Sequence, residues 1–179
     1  MSEPLEQIVL RCKAGEKASF EWLFEQYQPR LKYYLRRLDE TGTNSDDHLQ
    51  EIWITVLRKI HTLQNSELFP VWLYRIARNC VYSGFRRKQR FARLPEDHEI
   101  PVSDNNEPTF HADDAEKLHR ALDTLKPQHR EVLTLSFMEQ MSYQSIAEVI
   151  GCSIGTVRSR LFYAKQSLRR EMERQHGSK

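Results

Sequence analysis

The chain has 179 residues, 39% apolar and 29% charged, with a formal net charge of +2. That is length enough for one or two small domains with a core, and no uncharged apolar run approaches the ~20 residues that span a bilayer. The N-terminus lacks the basic start and apolar stretch of a secretory signal, so the chain is expected to stay in the cytoplasm, and Cys12, Cys80 and Cys152, odd in number and far apart, argue against a disulfide framework or a metal site.

Pro4 opens a short helix with Leu5, Ile8, Val9 and Cys12 on one side, and Gly15 closes it. Ser19 is placed to cap the next helix, whose apolar face is Phe20, Leu23, Phe24, Tyr27, Leu31, Tyr34, Leu35 and Leu38. Pro29 falls inside this pattern and is expected to bend or interrupt the helix, because it removes a backbone donor. A turn with Gly42 and Asn44 follows. The third helix, 46–60, buries Leu49, Trp53, Val56 and Ile60 and turns Asp47, Gln50, Glu51, Ile54 and Arg58 to other faces. Asp46 and Asp47 favour the positive end of the helix dipole. With no His or third carboxylate to complete a site, they read as first-turn acids rather than metal ligands or an acid–base pair.

Residues 61–69 break the periodicity and are expected to form a loop. Pro70 then suits the first turn of a helix running to about residue 90. Its core stripe reads as Trp72, Leu73, Ile76, Ala77, Cys80 and Val81. The other side carries Tyr74, Arg75, Arg78, Asn79 and Tyr82, then Arg86, Arg87, Lys88, Arg90 and Arg93. Rings mixed with cations suit single-stranded nucleic acid, where bases stack on rings and phosphates meet charge. A solvated basic helix end has the same composition.

Residues 94–116 contain Pro95, Pro101 and Pro108, eight carboxylates and no Lys or Arg, and are expected to be a flexible acidic linker. Charge therefore comes in blocks. Residues 1–93 carry 16 Lys and Arg against 11 Asp and Glu, and residues 117–179 carry 11 against 6. Two basic blocks point to a polyanionic partner.

Helix resumes at Ala115 with Leu118, Leu122 and Leu125. Pro127 starts another, whose apolar residues are Val132, Leu133, Leu135 and Phe137. Residues 141–170 read as two helices around a tight turn. Ser142 caps the first, with Ile146, Ala147, Val149 and Ile150 on its apolar side; Gly151 supplies the positive φ of a C-cap, and Ser153 caps the second. There Ile154, Val157, Leu161, Ala164 and Leu168 form one stripe, while Gly155, Ser159, Phe162, Gln166 and Arg170 point away, flanked by Arg158, Arg160 and Tyr163. Gly155 and Thr156 let the backbone approach phosphates. Arg reads guanine edges and an apolar ring touches a thymine methyl, so this face suits a DNA major groove. A helical hairpin whose rings pack on another domain has the same pattern. No GxSxG, HExxH or Gly-rich phosphate loop is present, so no catalytic residue, cofactor or metal ligand is assigned. The expected fold is all-α: two small helical domains joined by the flexible acidic linker, the C-terminal one containing a helix-turn-helix.

In combination and order these segments resemble the extracytoplasmic-function (ECF) group of bacterial sigma factors, specificity subunits of RNA polymerase. FEWLFEQYQPRLKYYLRRL at 20–38 is similar to the group's first segment, and DDHLQEIW at 46–53 to the segment that grips the polymerase clamp helices. WLYRIARNCVYSGFRRKQR at 72–90 resembles the segment that opens and reads the −10 element. LDTLKPQHREVLTLSFMEQMSYQSIAEVIGCSIGTVRSRL at 122–161 resembles the reader of the −35 element. His48, Pro70 and Tyr163 depart from the group's usual residues.

The resemblance implies a polymerase- and −10-binding domain over 1–93, the linker over 94–116 and a −35-reading domain over 117–179. It implies no enzyme activity, action only with core polymerase (clamp helices and flap) on promoter DNA of stress or envelope-response genes, frequent control by an anti-sigma factor, and no membrane insertion. Polymerase contacts would come from Asp47, Gln50, Glu51 and Ile54. Contacts to the −10 element would come from Trp72, Tyr74, Arg75, Arg78, Asn79, Tyr82, Arg86 and Arg87, with the 61–69 loop helping Asn79 to hold unpaired bases. Contacts to the −35 element would come from Gly155, Thr156, Arg158, Ser159, Arg160, Phe162 and Tyr163. The linker would pass through polymerase channels that later hold RNA, or serve as a plain tether. Two other classes compete. A polymerase-independent helix-turn-helix activator would need a sensor domain and leaves the aromatic–basic helix unexplained. A DNA-processing enzyme would need a nucleophile with activating partners, and the sequence pairs none.

Overall fold

The computed structural model describes residues 3–38, 45–88 and 115–176, with side chains over 3–38, 45–83 and 118–175. The expected turn around Gly42 and nearly all of the acidic linker lie outside the described residues. The regular structure within them is helical: α1 (Leu5–Lys13), α2 (Lys17–Leu38), α3 (Ser45–Lys59), α4 (Phe69–Lys88), α5 (Ala115–Asp123), α6 (Pro127–Leu133), α7 (Tyr143–Ile150) and α8 (Ile154–His176). The chain divides into two compact units, the first built from α1–α4 and the second largely from α5–α8.

In the first unit α1 buries Ile8, Val9 and Cys12 against α2 and the turns before α4. Gly15 ends α1 at φ +91°, a region that costs a side chain strain even in open space. Helix α2 starts two residues before Ser19, which is therefore not its cap. Instead the buried Ser19 hydroxyl donates to the Glu16 carboxylate and accepts from Arg11 Nε at 3.2 Å. Nor does Pro29 interrupt α2, which runs unbroken through it. Pro29 and Glu25 are both exposed, so the lost hydrogen bond falls on the solvent side of the helix, while the opposite face is held by burial of Leu23, Tyr27, Leu31, Tyr34 and Leu35.

Helices α2, α3 and α4 pack on one another. Aromatic contacts join them: Tyr34 meets Tyr74 edge-on at 5.0 Å, Tyr27 meets Phe69 at 5.4 Å, and Trp53 lies 5.8 Å from Phe20 and 5.0 Å from Phe24. Asp46 at the start of α3 pairs with Lys32 of α2 at 2.9 Å. That ammonium holds the Asp46 carboxyl below its usual range, first by hydrogen bonding and then by charge.

The second unit packs α5 and α6 on α8, burying Ala121, Leu122, Leu125, Val132, Leu133, Val157, Leu161, Ala164 and Leu168. After α6 the backbone widens into a π-type turn over Thr134–Met138. The extra residue rotates Phe137 out of the expected apolar face; it is exposed, with Lys165 Nζ 5.9 Å from its ring centre. The turn between α7 and α8 follows the sequence reading. Ser142 Oγ accepts from Ser145 N at 3.1 Å, Gly151 takes φ +75°, and Ser153 Oγ accepts from Thr156 N at 3.0 Å.

Candidate functional site

Helix α3 has two unlike sides. Leu49, Ile52, Trp53 and Val56 are buried, which leaves Asp47, Gln50, Glu51 and Ile54 together in solvent at helical spacings of three and four. Ile54 is 42% exposed and Leu57, one further step along the same face, 56%. Two exposed aliphatic side chains lie there beside two acids and one amide, a mixture that a docking protein could use. Leu57 went unnamed in the sequence reading, on neither the buried stripe nor the polar face; its spacing from Gln50 and Ile54 was the available signal.

The buried side of α4 is rotated from the expected stripe. Phe69, Leu73, Tyr74, Ala77 and Val81 are buried, while Trp72, Ile76 and Cys80 are half-buried along one edge. Tyr74 is thus a correction: fully buried against Tyr34, it cannot face nucleic acid. The opposite face presents Arg75 and Asn79 in solvent, with Arg78 and Tyr82 half-buried and the Arg78 guanidinium 4.4 Å from the centre of the Tyr82 ring. Trp72 lies at the border, 6.1 Å ring to ring from Phe69. Arg86 and Arg87 belong to α4, and their side chains lie outside the described ones.

The segment before α4 is less irregular than expected. It makes two single 3-10 turns, Ile60–Thr62 and Ser66–Leu68. Asn65 Oδ1 accepts from Glu67 N at 3.0 Å, and Lys13 Nζ of α1 donates to the Leu63 carbonyl at 2.7 Å. Leu63, Ser66 and Phe69 anchor it, leaving His61, Thr62, Gln64, Asn65 and Leu68 exposed.

At the start of α8, Arg158 and Tyr163 are exposed and Gly155, Thr156, Arg160 and Phe162 half-buried, with the Phe162 and Tyr163 rings edge-on at 5.4 Å. Ser159 is a second correction. It is 2% exposed, and its hydroxyl donates to the Thr156 carbonyl at 3.0 Å. A single-stripe reading assumes one covered face, whereas α8 is covered on more than one side near its start.

Helices α3 and α4 meet at a polar contact. The Cys80 thiol lies 3.3 Å from Glu51 Oε2 and 3.9 Å from the His48 carbonyl oxygen. Burial, and then the neighbouring Glu51 carboxylate, push this thiol up to about 12, so it stays protonated and remains a donor. Among the described residues no three His, Cys, Asp or Glu side chains converge as for a metal ion. Nor is any described helix long and apolar enough to cross a membrane.

Comparison with known proteins accounts for both units. Residues 23–91 match the family model for Sigma-70 region 2, and residues 115–168 match that for Sigma-70, region 4. The chain is 32% identical over 174 residues to the ECF RNA polymerase sigma factor SigE of Mycolicibacterium smegmatis, covering 93% of this chain and 67% of that protein. It is 30% identical over 187 residues to the ECF RNA polymerase sigma-E factor of Haemophilus influenzae, covering 97% and 98%. Its fold is similar to that of the sigma factor RpoE from Bartonella quintana, solved with the anti-sigma factor NepR, at a TM-score of 0.67 and 23% identity over 86% of this chain and 96% of that one. Two region models in the order of the two units, and relatives matched nearly end to end, establish that this chain belongs to the ECF group of the sigma-70 family of RNA polymerase sigma factors.

Proposed function

We propose that the chain brings core RNA polymerase to its promoters through three surfaces spread over domains 1–93 and 117–179. The α3 face, Asp47, Gln50, Glu51, Ile54 and Leu57, docks on the clamp helices. The α4 face, Trp72, Arg75, Arg78, Asn79 and Tyr82 with Arg86 and Arg87, takes the −10 element, and the exposed 61–69 residues help to hold its unpaired bases. The start of α8, Gly155, Thr156, Arg158, Arg160, Phe162 and Tyr163, reads the −35 element while the same unit meets the flap. The chain adds no catalysis of its own and acts in the cytoplasm, on stress or envelope-response promoters. An anti-sigma factor that covers α3 withholds it from polymerase.

One observation carries the reading: α3 is fully committed to the core on one side and yet leaves Ile54 and Leu57 in solvent among Asp47, Gln50 and Glu51. Such a face is what a helix that docks on another protein would present. The test is run-off transcription with core polymerase on genomic fragments. A transcript starting at one defined site, only when this chain is added, is the expected result. Tight promoter binding by the chain alone, with no effect on core polymerase, overturns the proposal in favour of an independent activator.

A further inference from the structure

We propose that Cys80 is a positioning residue for polymerase binding: its thiol proton, donated across the α3–α4 contact, fixes the Glu51 carboxylate in the orientation that meets the clamp. The inference rests on the assignment of the α3 face above.

Glu51 is exposed, and an exposed glutamate samples many rotamers that binding must freeze. The Cys80 sulfur, 3.3 Å from Glu51 Oε2, restricts them before polymerase arrives. The contact is made to Oε2, so Oε1 is the oxygen that would accept from an incoming cation or amide. The donor sits on a different helix, so the orientation is referred to the packed α3–α4 pair rather than to α3 alone. Cys80 is half-buried at the edge of the core, where sulfur packs as a small hydrophobe and its weak S–H donor faces a charged acceptor. Burial first, and then the carboxylate, keep the proton on sulfur, so the thiol remains a donor. Asn79, the preceding residue, points about 100° further round the helix and is exposed on the proposed DNA side. Consecutive residues of α4 thereby serve polymerase and promoter.

Two measurements on the full chain test this. The first reads the contact without polymerase: the alkylation rate of Cys80, resolved from Cys12 and Cys152 by peptide mass spectrometry. Glu51→Gln leaves burial in place but removes the carboxylate charge that adds to it in holding the proton, and is expected to speed alkylation modestly; an unchanged rate overturns the contact. The second is affinity for core polymerase. Cys80→Ala is expected to weaken binding about threefold, the scale of one modest hydrogen bond, at unchanged helicity, with Cys80→Ser, which keeps a donor, restoring most of it. In a Glu51→Ala background Cys80→Ala is expected to have no further effect. Equal weakening in both backgrounds means that Cys80 acts through packing, and no weakening in either means that the contact does not position Glu51; both outcomes overturn the proposal. If Glu51→Ala alone binds core polymerase with full affinity, the α3 assignment has failed, and positioning fails with it, while the alkylation rates still report whether the thiol contact exists.

Discussion

Arg158 is the residue of α8 best placed to carry sequence information, because it is exposed one turn into the helix and unencumbered by the Phe162–Tyr163 pair. A bidentate arginine–base contact is worth about 1–3 kcal/mol of discrimination. Arg158→Ala is therefore expected to lower initiation and relax preference at one base of the upstream element, scored by run-off transcription across single-base promoter variants. Equal slowing on every variant would reassign it to a phosphate. Tyr74 and Asn79, five residues apart on α4, should separate sharply. Tyr74→Ala empties a fully buried site and is expected to cost roughly 3–5 kcal/mol in urea unfolding, as large-to-small core changes do. Asn79→Ala should leave stability alone and impair promoter melting, read by permanganate footprinting. The sequence mistook Tyr74 for a surface ring because its hydroxyl and its arginine neighbours imitate a stacking platform. What decides the matter is Tyr34, forty residues away and invisible to any helical period. Ser159 misled for the related reason that a small polar residue fits a covered face when its hydroxyl can bond backward within the helix.

Elements were more legible than individual contacts. The caps and turn of 142–156 rest on local backbone chemistry, and the sequence contains all of it: two serines, one glycine and the spacing between them. Helix α2 shows where locality ends. Proline removes a hydrogen bond and clashes with the preceding turn wherever it stands, yet here tertiary burial on one face keeps the helix whole and the lost hydrogen bond falls on the other, solvent side. Pro29→Ala restores that donor in an exposed position, and is expected to raise unfolding stability by up to roughly 3 kcal/mol, seen as a higher urea midpoint with an unchanged slope. The exposed face of α3 offers the opposite trial. Leu57→Asp introduces a charge where solvent already reaches, so it should leave the unfolding midpoint within about 0.5 kcal/mol. If the clamp covers this face, the same substitution should weaken capture by core polymerase tenfold or so, about 1.4 kcal/mol. A mutant that binds as well as the parent removes Leu57 from the interface.

For the whole molecule, charge is distributed as two basic blocks on either side of an acidic one. Neutral residues would tether the two units equally well, so the eight carboxylates of 94–116 call for a further use, and occupation of positive channels that later hold RNA is the one we favour. Changing all eight to Asn and Gln keeps length and composition class while removing charge. Weaker holoenzyme assembly or altered promoter escape is expected, most strongly at low salt, where screening is least. Identical behaviour across salt in assembly, abortive synthesis and escape would leave the segment a tether. The aromatic packing of the first unit has an optical consequence. The chain's tryptophans, Trp22, Trp53 and Trp72, all fall before the linker, and Trp53 is enclosed by Phe20 and Phe24. Tryptophan emission is thus a built-in label for α1–α4, blind to α5–α8, whereas far-ultraviolet circular dichroism sums the helices of both units. The separation between the two melting curves measures how independently the halves unfold. A ligand that grips only α5–α8 should shift the dichroism transition and leave the emission transition where it was.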